Sequence, residues 1–418
     1  MDQQTTLAAL NALLQHCQKA PFYRERFSGE PLRSLAEFQR IPLATKAELR
    51  AASPFGLVCL DRSELYQYHE TFGTTGTPVS VWLSKQDYLD NAAALRDWGV
   101  GFHPDDLVMV RFPYSISSIA HTVTTLAQQC GACVVPAGAR STVSPFPRIV
   151  DLLRKLPVTV LACLPLQALL IAETARLLGY DPRSDFPSLR AICTAGELLA
   201  PGRRQTVAEA WGVPVFDNYG MTEIGVAVVD CPLQRPHPQT DYFYFEILRE
   251  DRQTPADPGE TGLLVVTTLR RRGTPLVRYL TGDRARLVPG KCACGREMTM
   301  EIRGRTEDTV TVGGRRLDLW DIEEIVAALP HRRFWVAAAD GDSLRLVVEA
   351  DASETSLPPE LLKSLEERFG IKVSVTVVAR GSLYDRDELL AVGLVGKPQY
   401  IYTAQEMAEE RYLRSVRV

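Results

Sequence analysis

The chain has 418 residues, 45% of them hydrophobic, and a formal net charge of −4, so it can bury a full core and divide into two domains. The acidic balance excludes a protein whose main work is coating nucleic acid. No apolar run reaches about eighteen residues, and the start "MDQQTTLAALNALLQHC" is amphipathic, so neither a membrane span nor an export signal is expected.

After that opening helix and the segment "RIPLATKAELRAASPFG", the stretch "YHETFGTTGTPVSVW" packs glycines, threonines and a proline between two β-prone runs. Beyond it, short apolar strands such as "DLVMVRF", "VTVLACL" and "LRAICTAGE" alternate with helical patterns such as "SIAHTVTTLAQQCG" and "PLQALLIAETARLLGY". Near-continuous apolar strands spaced by helices predict a parallel sheet covered on both faces. From about Tyr242 the pattern changes to alternating "DYFYFEILRE" and "GLLVVTTL" around a turn-rich segment, which predicts an antiparallel appendage. After Arg303, "LDLWDIEEIVAAL" reads as an amphipathic helix, "FWVAAA" and "SLRLVVEA" as paired strands, "PPELLKSLEERFG" as a helix and "IKVSVTVVA" as a strand. The expected fold is therefore α/β: a large N-terminal domain over residues 1–302 with mostly parallel sheets and an antiparallel appendage, then a small α+β domain over 303–418.

In "TFGTTGTP" the glycines permit close backbone approach, and hydroxyls with consecutive N–H groups supply donors for phosphate oxygens, although a plain Gly/Thr turn fits the stretch as well. The Gly-Lys-Ser/Thr ending of the ATPase P-loop is missing. In "DNYGMTEIG", expected at the carboxyl end of a strand, Tyr219 offers a flat face to a base and Asn218 its amide. Thr222 and Glu223 place hard oxygens where a magnesium-bound phosphate could meet them. In "YLTGDRARL", Asp283 could accept both hydroxyls of a ribose or simply hold a turn.

Taken in order, the Gly/Thr loop, "TAGE", "NYGMTE", "TGD" and "GRTED" with "GGRR" make the sequence resemble the adenylate-forming superfamily of acyl-CoA synthetases, and within it the phenylacetate-CoA ligase branch, from about Pro42 to the C-terminus. The resemblance implies that a carboxylate attacks the α-phosphorus of ATP, that pyrophosphate leaves, and that a thiol then displaces AMP. It implies Thr71, Thr74, Thr75 and Gly76 for the phosphates, and Gly196 and Glu197 with Asn218 and Tyr219 for the adenine wall. It further implies Thr222 and Glu223 for phosphate and Mg2+, Asp283 for the ribose, Arg305 as the basic interdomain residue, and Glu307 as a hinge in the 305–308 stretch. Domain rotation about such a hinge exchanges catalytic groups between the two half-reactions.

Two departures stand out. Thr77 occupies the place where the family's loop has lysine, and the adenylation lysine is matched only loosely by Lys397 in "VGLVGKPQYIY". The segment "RFPYSISSIAH" has the position of the family's acid-binding stretch and offers Phe112, Tyr114 and His121 as substrate contacts. Cys231, His237, Cys292 and Cys294 make a donor set for a structural zinc, a pattern similar to that of related proteins of the branch, with free thiols as the alternative. The remaining cysteines, most of them in apolar runs, fit core thiols of a reducing cytoplasm.

The expected activity is ATP-dependent adenylation of a small, aromatic carboxylic acid, followed by transfer to coenzyme A or to the phosphopantetheine arm of a carrier protein. The rival classes are an adenylyltransferase that leaves AMP on its product and a nucleotide-binding sensor without turnover, for which Thr77 is the one hint.

Overall fold

A computed structural model describes residues 2–71, 77–139, 141–350, 357–391 and 398–412. The chain forms two compact units, one made of Met1–Asp106, Pro113–Val134 and Phe216–Ile302, the other of Leu107–Phe112, Val135–Val215 and Arg303–Val418.

In the first unit, Asp2 caps the opening helix Gln3–Cys17 by accepting the Thr5 N–H at 2.9 Å. The helix buries Leu10, Leu13, Leu14 and Cys17, the spacing that lines up one helical face. That face joins Tyr23, Phe38, Leu264, Val266 and Tyr279 in one hydrophobic cluster. The appendage is an antiparallel sheet of strands Phe243–Leu248, Gly262–Thr268, Tyr279–Pro289 and Met298–Arg305 in that order. It is tied down by Arg278, whose guanidinium forks onto Glu246 at 2.9 and 3.0 Å and reaches the Ile41 carbonyl at 2.5 Å. Both side chains are buried, and the fork meets the demand that buried charges be paired. A separate hairpin pairs Leu65–Glu70 with Ser80–Ser84, with His69 opposite Val81 and Glu70 opposite Ser80.

In the second unit, strands Leu107–Val110, Val160–Cys163 and Ala191–Ala195 run parallel. The latter two are buried at every residue, as strands covered on both faces must be. Helices Phe146–Lys155, Pro165–Leu177 and Pro201–Trp211 each start with a proline in the first turn, where its missing N–H costs nothing. The middle helix is buried from Pro165 through Ala175 and so lacks the polar face of a surface helix.

The C-terminal part of this unit has the helix and strand order read from the sequence. Its sheet runs Lys372–Val378, Ser343–Glu349, Trp335–Asp340, Ile401–Tyr402. Phe334, Val336, Leu383, Tyr384 and Leu389 share one hydrophobic cluster with Leu166, Leu169 and Trp211. Two buried carboxylates of the same unit are paired with arginines. Arg203 forks onto Glu323 at 2.9 and 3.0 Å, and the fully buried Glu173 meets Arg386 at 3.1 Å and Arg380 at 2.7 Å. No helix among the described residues is long and apolar enough to cross a membrane.

Candidate nucleotide site and metal centre

The first unit brings together three segments that are far apart in sequence. Strand Val215–Met221 continues through Asn218 and Tyr219 and then folds back on Gly225–Asp230, so Thr222, Glu223 and Ile224 form the turn of a hairpin. The motif thus lies at the strand's carboxyl end, as the sequence suggests, and the chain then reverses into a second strand. Glycine permits this. A Cβ on Gly220 would come within 2.4 Å of the Gly225 carbonyl oxygen, and Gly225 itself sits at φ +87. Arg271 secures the turn by donating to the Ile224 carbonyl at 2.7 Å and to Asn91 Oδ1 at 3.1 Å.

On this hairpin Tyr219 donates its hydroxyl proton to Asp283 Oδ2 at 2.6 Å, a short charge-assisted bond. Asp283 lies on strand Tyr279–Pro289, where Tyr279, Thr281 and Asp283 are buried in alternation. Tyr279 therefore points the same way, and its hydroxyl donates to Glu223 Oε1 at 3.3 Å. The same oxygen lies 3.3 Å from Lys46 Nζ, and Glu223 is almost fully buried. Two tyrosines, two carboxylates and a lysine thus meet here.

The hairpin Leu65–Glu70/Ser80–Ser84 carries the Gly/Thr loop. Its base is closed by Thr71, whose N–H donates to the Val79 carbonyl at 3.1 Å and whose hydroxyl accepts the Val79 N–H at 3.0 Å. Thr74, Thr75 and Gly76 lie outside the described residues, as does Lys397.

A family model described as AMP-binding enzyme matches residues 36–268, more than half of the chain. The chain belongs to the AMP-binding enzyme family. It is 28% identical over 403 residues to the phenylacetate-coenzyme A ligase of Thermus thermophilus, covering 87% of this chain and 89% of that one. The phenylacetate-coenzyme A ligase of Escherichia coli is 29% identical, with 88% and 89% covered. Among solved structures, 2-hydroxyisobutyryl-CoA ligase in the postadenylation state, in complex with 2-HIB-AMP, superposes with a TM-score of 0.86 at 24% identity over 98% of this chain and 92% of that chain, which shows the shared fold. The same ligase in the thioesterification state gives 0.69 at 25% identity over 98% and 91%. This AMP-binding enzyme is thus an adenylate-forming protein related to both ligases.

The other residues singled out in the sequence fall as follows. Gly196, at φ +84, and Glu197 lie in the second unit, where Glu197 Oε2 accepts the Leu166 N–H at 3.2 Å at the start of helix Pro165–Leu177. Phe112 is buried in that unit, and neighbouring Arg111 donates to Ser144 at 3.1 Å with its guanidinium over the Phe146 ring. Arg305 ends a strand and Glu307 is exposed in the turn that follows. In the first unit, Tyr114 binds Thr124 at 2.8 Å and packs edge-on against His121, whose Nε2 donates to the Tyr114 carbonyl at 3.0 Å. Sequence reasoning missed Lys46, Tyr279, Arg271 and His69. Only Tyr279 left a signal, four residues before Asp283 on one strand and so on the same face.

Cys231, His237, Cys292 and Cys294 converge, with their ligand atoms all within 4.8 Å of one another. The Sγ atoms of Cys231 and Cys292 lie 4.0 Å apart, and Cys294 Sγ is 3.3 Å from His237 Nε2. Two thiolates on one tetrahedral zinc stand about 3.8 Å apart, so the set has the size of such a site. His237 Nδ1 lies 2.5 Å from the Met298 carbonyl, which can only accept, so Nδ1 carries the proton and Nε2 keeps its lone pair for a metal. The short Cys-x-Cys spacing is accommodated by a tight turn in which the Cys292 N–H donates to the Arg296 carbonyl at 2.7 Å and Gly295 takes φ +96. The Cys292 thiol is drawn below its ordinary pKa, first by the backbone N–H of Cys294, toward the thiolate that binds metal. Of the other cysteines, Cys17, Cys59, Cys163 and Cys193 are buried, Cys130 is partly so and Cys133 is exposed.

Proposed function

We propose that this protein is an ATP-dependent acid–thiol ligase that adenylates a small aromatic carboxylic acid and passes the acyl group to coenzyme A. The observation that carries the reading is the meeting of Tyr219, Glu223 and Asp283 in one unit. The relatives named as phenylacetate-coenzyme A ligases support the acid and the acceptor.

Each group has a part in this scheme. Asp283 receives the ribose hydroxyls, and the Tyr219 hydroxyl holds its carboxylate in place. Asn218 and Tyr219 face the adenine from the first unit, and Gly196 and Glu197 are the residues of the second unit that the sequence resemblance assigns to it. Thr71, Thr74, Thr75 and Gly76 bind the phosphates that become pyrophosphate. Glu223, whose Oε1 is occupied by Lys46 and Tyr279, offers Oε2 together with the Thr222 hydroxyl to a magnesium-bound phosphate. Bound magnesium would lower the charge on the departing pyrophosphate. Lys397 and Arg305 complement charge at the carboxylate and α-phosphate. Phe112, Tyr114 and His121 receive the acid. Residues 303–418 act as the mobile domain, with Glu307 at the hinge. A zinc held by Cys231, His237, Cys292 and Cys294 would join the strand Pro236–Pro238 to the turn after strand Tyr279–Pro289 and serve structure alone.

The test is acid-dependent exchange of labelled pyrophosphate into ATP across aryl and short aliphatic acids, followed by AMP release when coenzyme A or a holo carrier protein is added. The ligase is expected to exchange only with acid present and to release AMP with coenzyme A. Exchange without free AMP would identify a nucleotidyl transferase, and no exchange would identify a sensor.

A further inference from the structure

His69 stands in strand Leu65–Glu70, two residues before Thr71 at the base of the phosphate loop, and is 2% exposed. Its Nδ1 lies 3.1 Å from the Ile116 carbonyl, which also accepts the Glu70 N–H at 3.1 Å. A carbonyl can only accept, so the ring proton is on Nδ1. Nε2 is then a lone pair: an acceptor, buried, with no hydrogen-bond partner among the described residues. Burial, together with the nearby His121 and Arg271, holds the imidazole pKa down to about 4, so the ring is neutral near pH 7.

The surroundings of this acceptor are built and strained. Ile116, whose carbonyl aligns the ring, sits at φ +63, a conformation that a β-branched residue adopts only when its surroundings impose it. The His121 ring lies 5.7 Å from that of His69, and Tyr114 packs edge-on against His121 at 5.4 Å. Two polar atoms of these neighbours are already engaged inside the protein, His121 Nε2 with the Tyr114 carbonyl and the Tyr114 hydroxyl with Thr124. His69 Nε2 is the buried acceptor of this ring cluster without a hydrogen-bond partner among the described residues, and an acceptor reads a donor.

We propose that His69 is a specificity-determining residue, selecting acids that carry a hydroxyl or amino hydrogen for its Nε2 over acids of the same skeleton that lack one. The inference rests on the ligase reading and narrows its substrate class to hydroxy- or amino-substituted acids. A buried acceptor left without a partner costs enough to give a preference of roughly tenfold to a hundredfold.

Pyrophosphate exchange with matched acids tests this: benzoate and phenylacetate, their ring-hydroxy and ring-amino derivatives, the methoxy counterparts, and short aliphatic acids with and without a 2-hydroxyl. The wild type is expected to favour one donor-bearing acid over its parent by at least about tenfold in kcat/KM and to reject the methoxy form, which fills the same space without a donor. His69→Leu is expected to abolish that preference while still exchanging with the parent acid, and His69→Gln, which keeps an acceptor oxygen, to restore part of it. Equal or better use of every parent acid by the wild type overturns the inference alone, a result that needs no variant to fold. An unchanged preference in His69→Leu overturns it as well. Absence of exchange with all acids overturns the ligase reading, and this inference with it.

Discussion

Replacement of Asp283 by alanine is expected to lower kcat/KM for ATP in pyrophosphate exchange by about 10²–10⁴ while the protein still melts cooperatively. Asp283 is 5% exposed and accepts the Tyr219 hydroxyl at 2.6 Å, so its carboxylate is held in one orientation before any nucleotide arrives. A pre-oriented carboxylate accepting two ribose hydroxyls makes two charged hydrogen bonds, each contributing about 1.5–3 kcal/mol. Their joint loss gives the stated range. Tyr219→Phe removes only the orienting bond and is expected to cost about tenfold. Steady-state exchange at varied ATP distinguishes the two variants. A loss of less than tenfold in Asp283→Ala would show that the nucleotide does not use this carboxylate.

The second large effect concerns the Cys/His centre. Tag-free protein kept reduced is expected to carry about one zinc per chain, and Cys231→Ser or Cys294→Ser to carry less than about a tenth of that, because a structural tetrahedral site does not tolerate the loss of one ligand. Loss of a structural metal belongs with the most damaging single changes, so unfolding free energy should fall by more than about 4 kcal/mol. The geometry supports so large an effect. The four ligand atoms are gathered within 4.8 Å, and without a cation to share, three sulfurs and an imidazole lone pair would face one another. Metal analysis together with denaturant unfolding measures both quantities. Substoichiometric zinc in the wild type, or variants as stable as the wild type, would leave the cluster as free thiols.

Most of the architecture was readable because each element is announced locally. Prolines mark the first turns of Pro165–Leu177 and Pro359–Phe369, and uninterrupted apolar runs mark Val160–Cys163 and Ala191–Ala195 as strands buried on both faces. The site was readable only in pieces. Asp283 and Tyr219 stand 64 positions apart on strands of different sheets, and only the fold shows that one hydroxyl meets the other's carboxylate. The motif's place at a strand's carboxyl end was readable, but the hairpin that follows through Thr222–Ile224 was not, because the reversal depends on how closely Gly220 and Gly225 approach, a tertiary fact. Lys46 reads as an ordinary first-turn residue of helix Lys46–Ala52, and nothing in its neighbourhood points to Glu223. His69 carries no motif at all. Its Nε2 is without a hydrogen-bond partner among the described residues once Ile116 has taken the other ring nitrogen, a fact of the fold alone. The Cys/His set was suggested by composition and spacing, but the turn that lets Cys-x-Cys serve needs Gly295 in a left-handed conformation.

The most direct measurement follows one oxygen atom. An acid that supports exchange is labelled with oxygen-18 in its carboxylate and incubated with ATP and the thiol, and the AMP is weighed. If the carboxylate attacks the α-phosphorus and the thiol later displaces AMP at the acyl carbon, each AMP leaves with one of the acid's oxygens. Labelled AMP beside unlabelled pyrophosphate is the expected result. Unlabelled AMP, or ADP beside labelled phosphate, would contradict activation through an acyl adenylate.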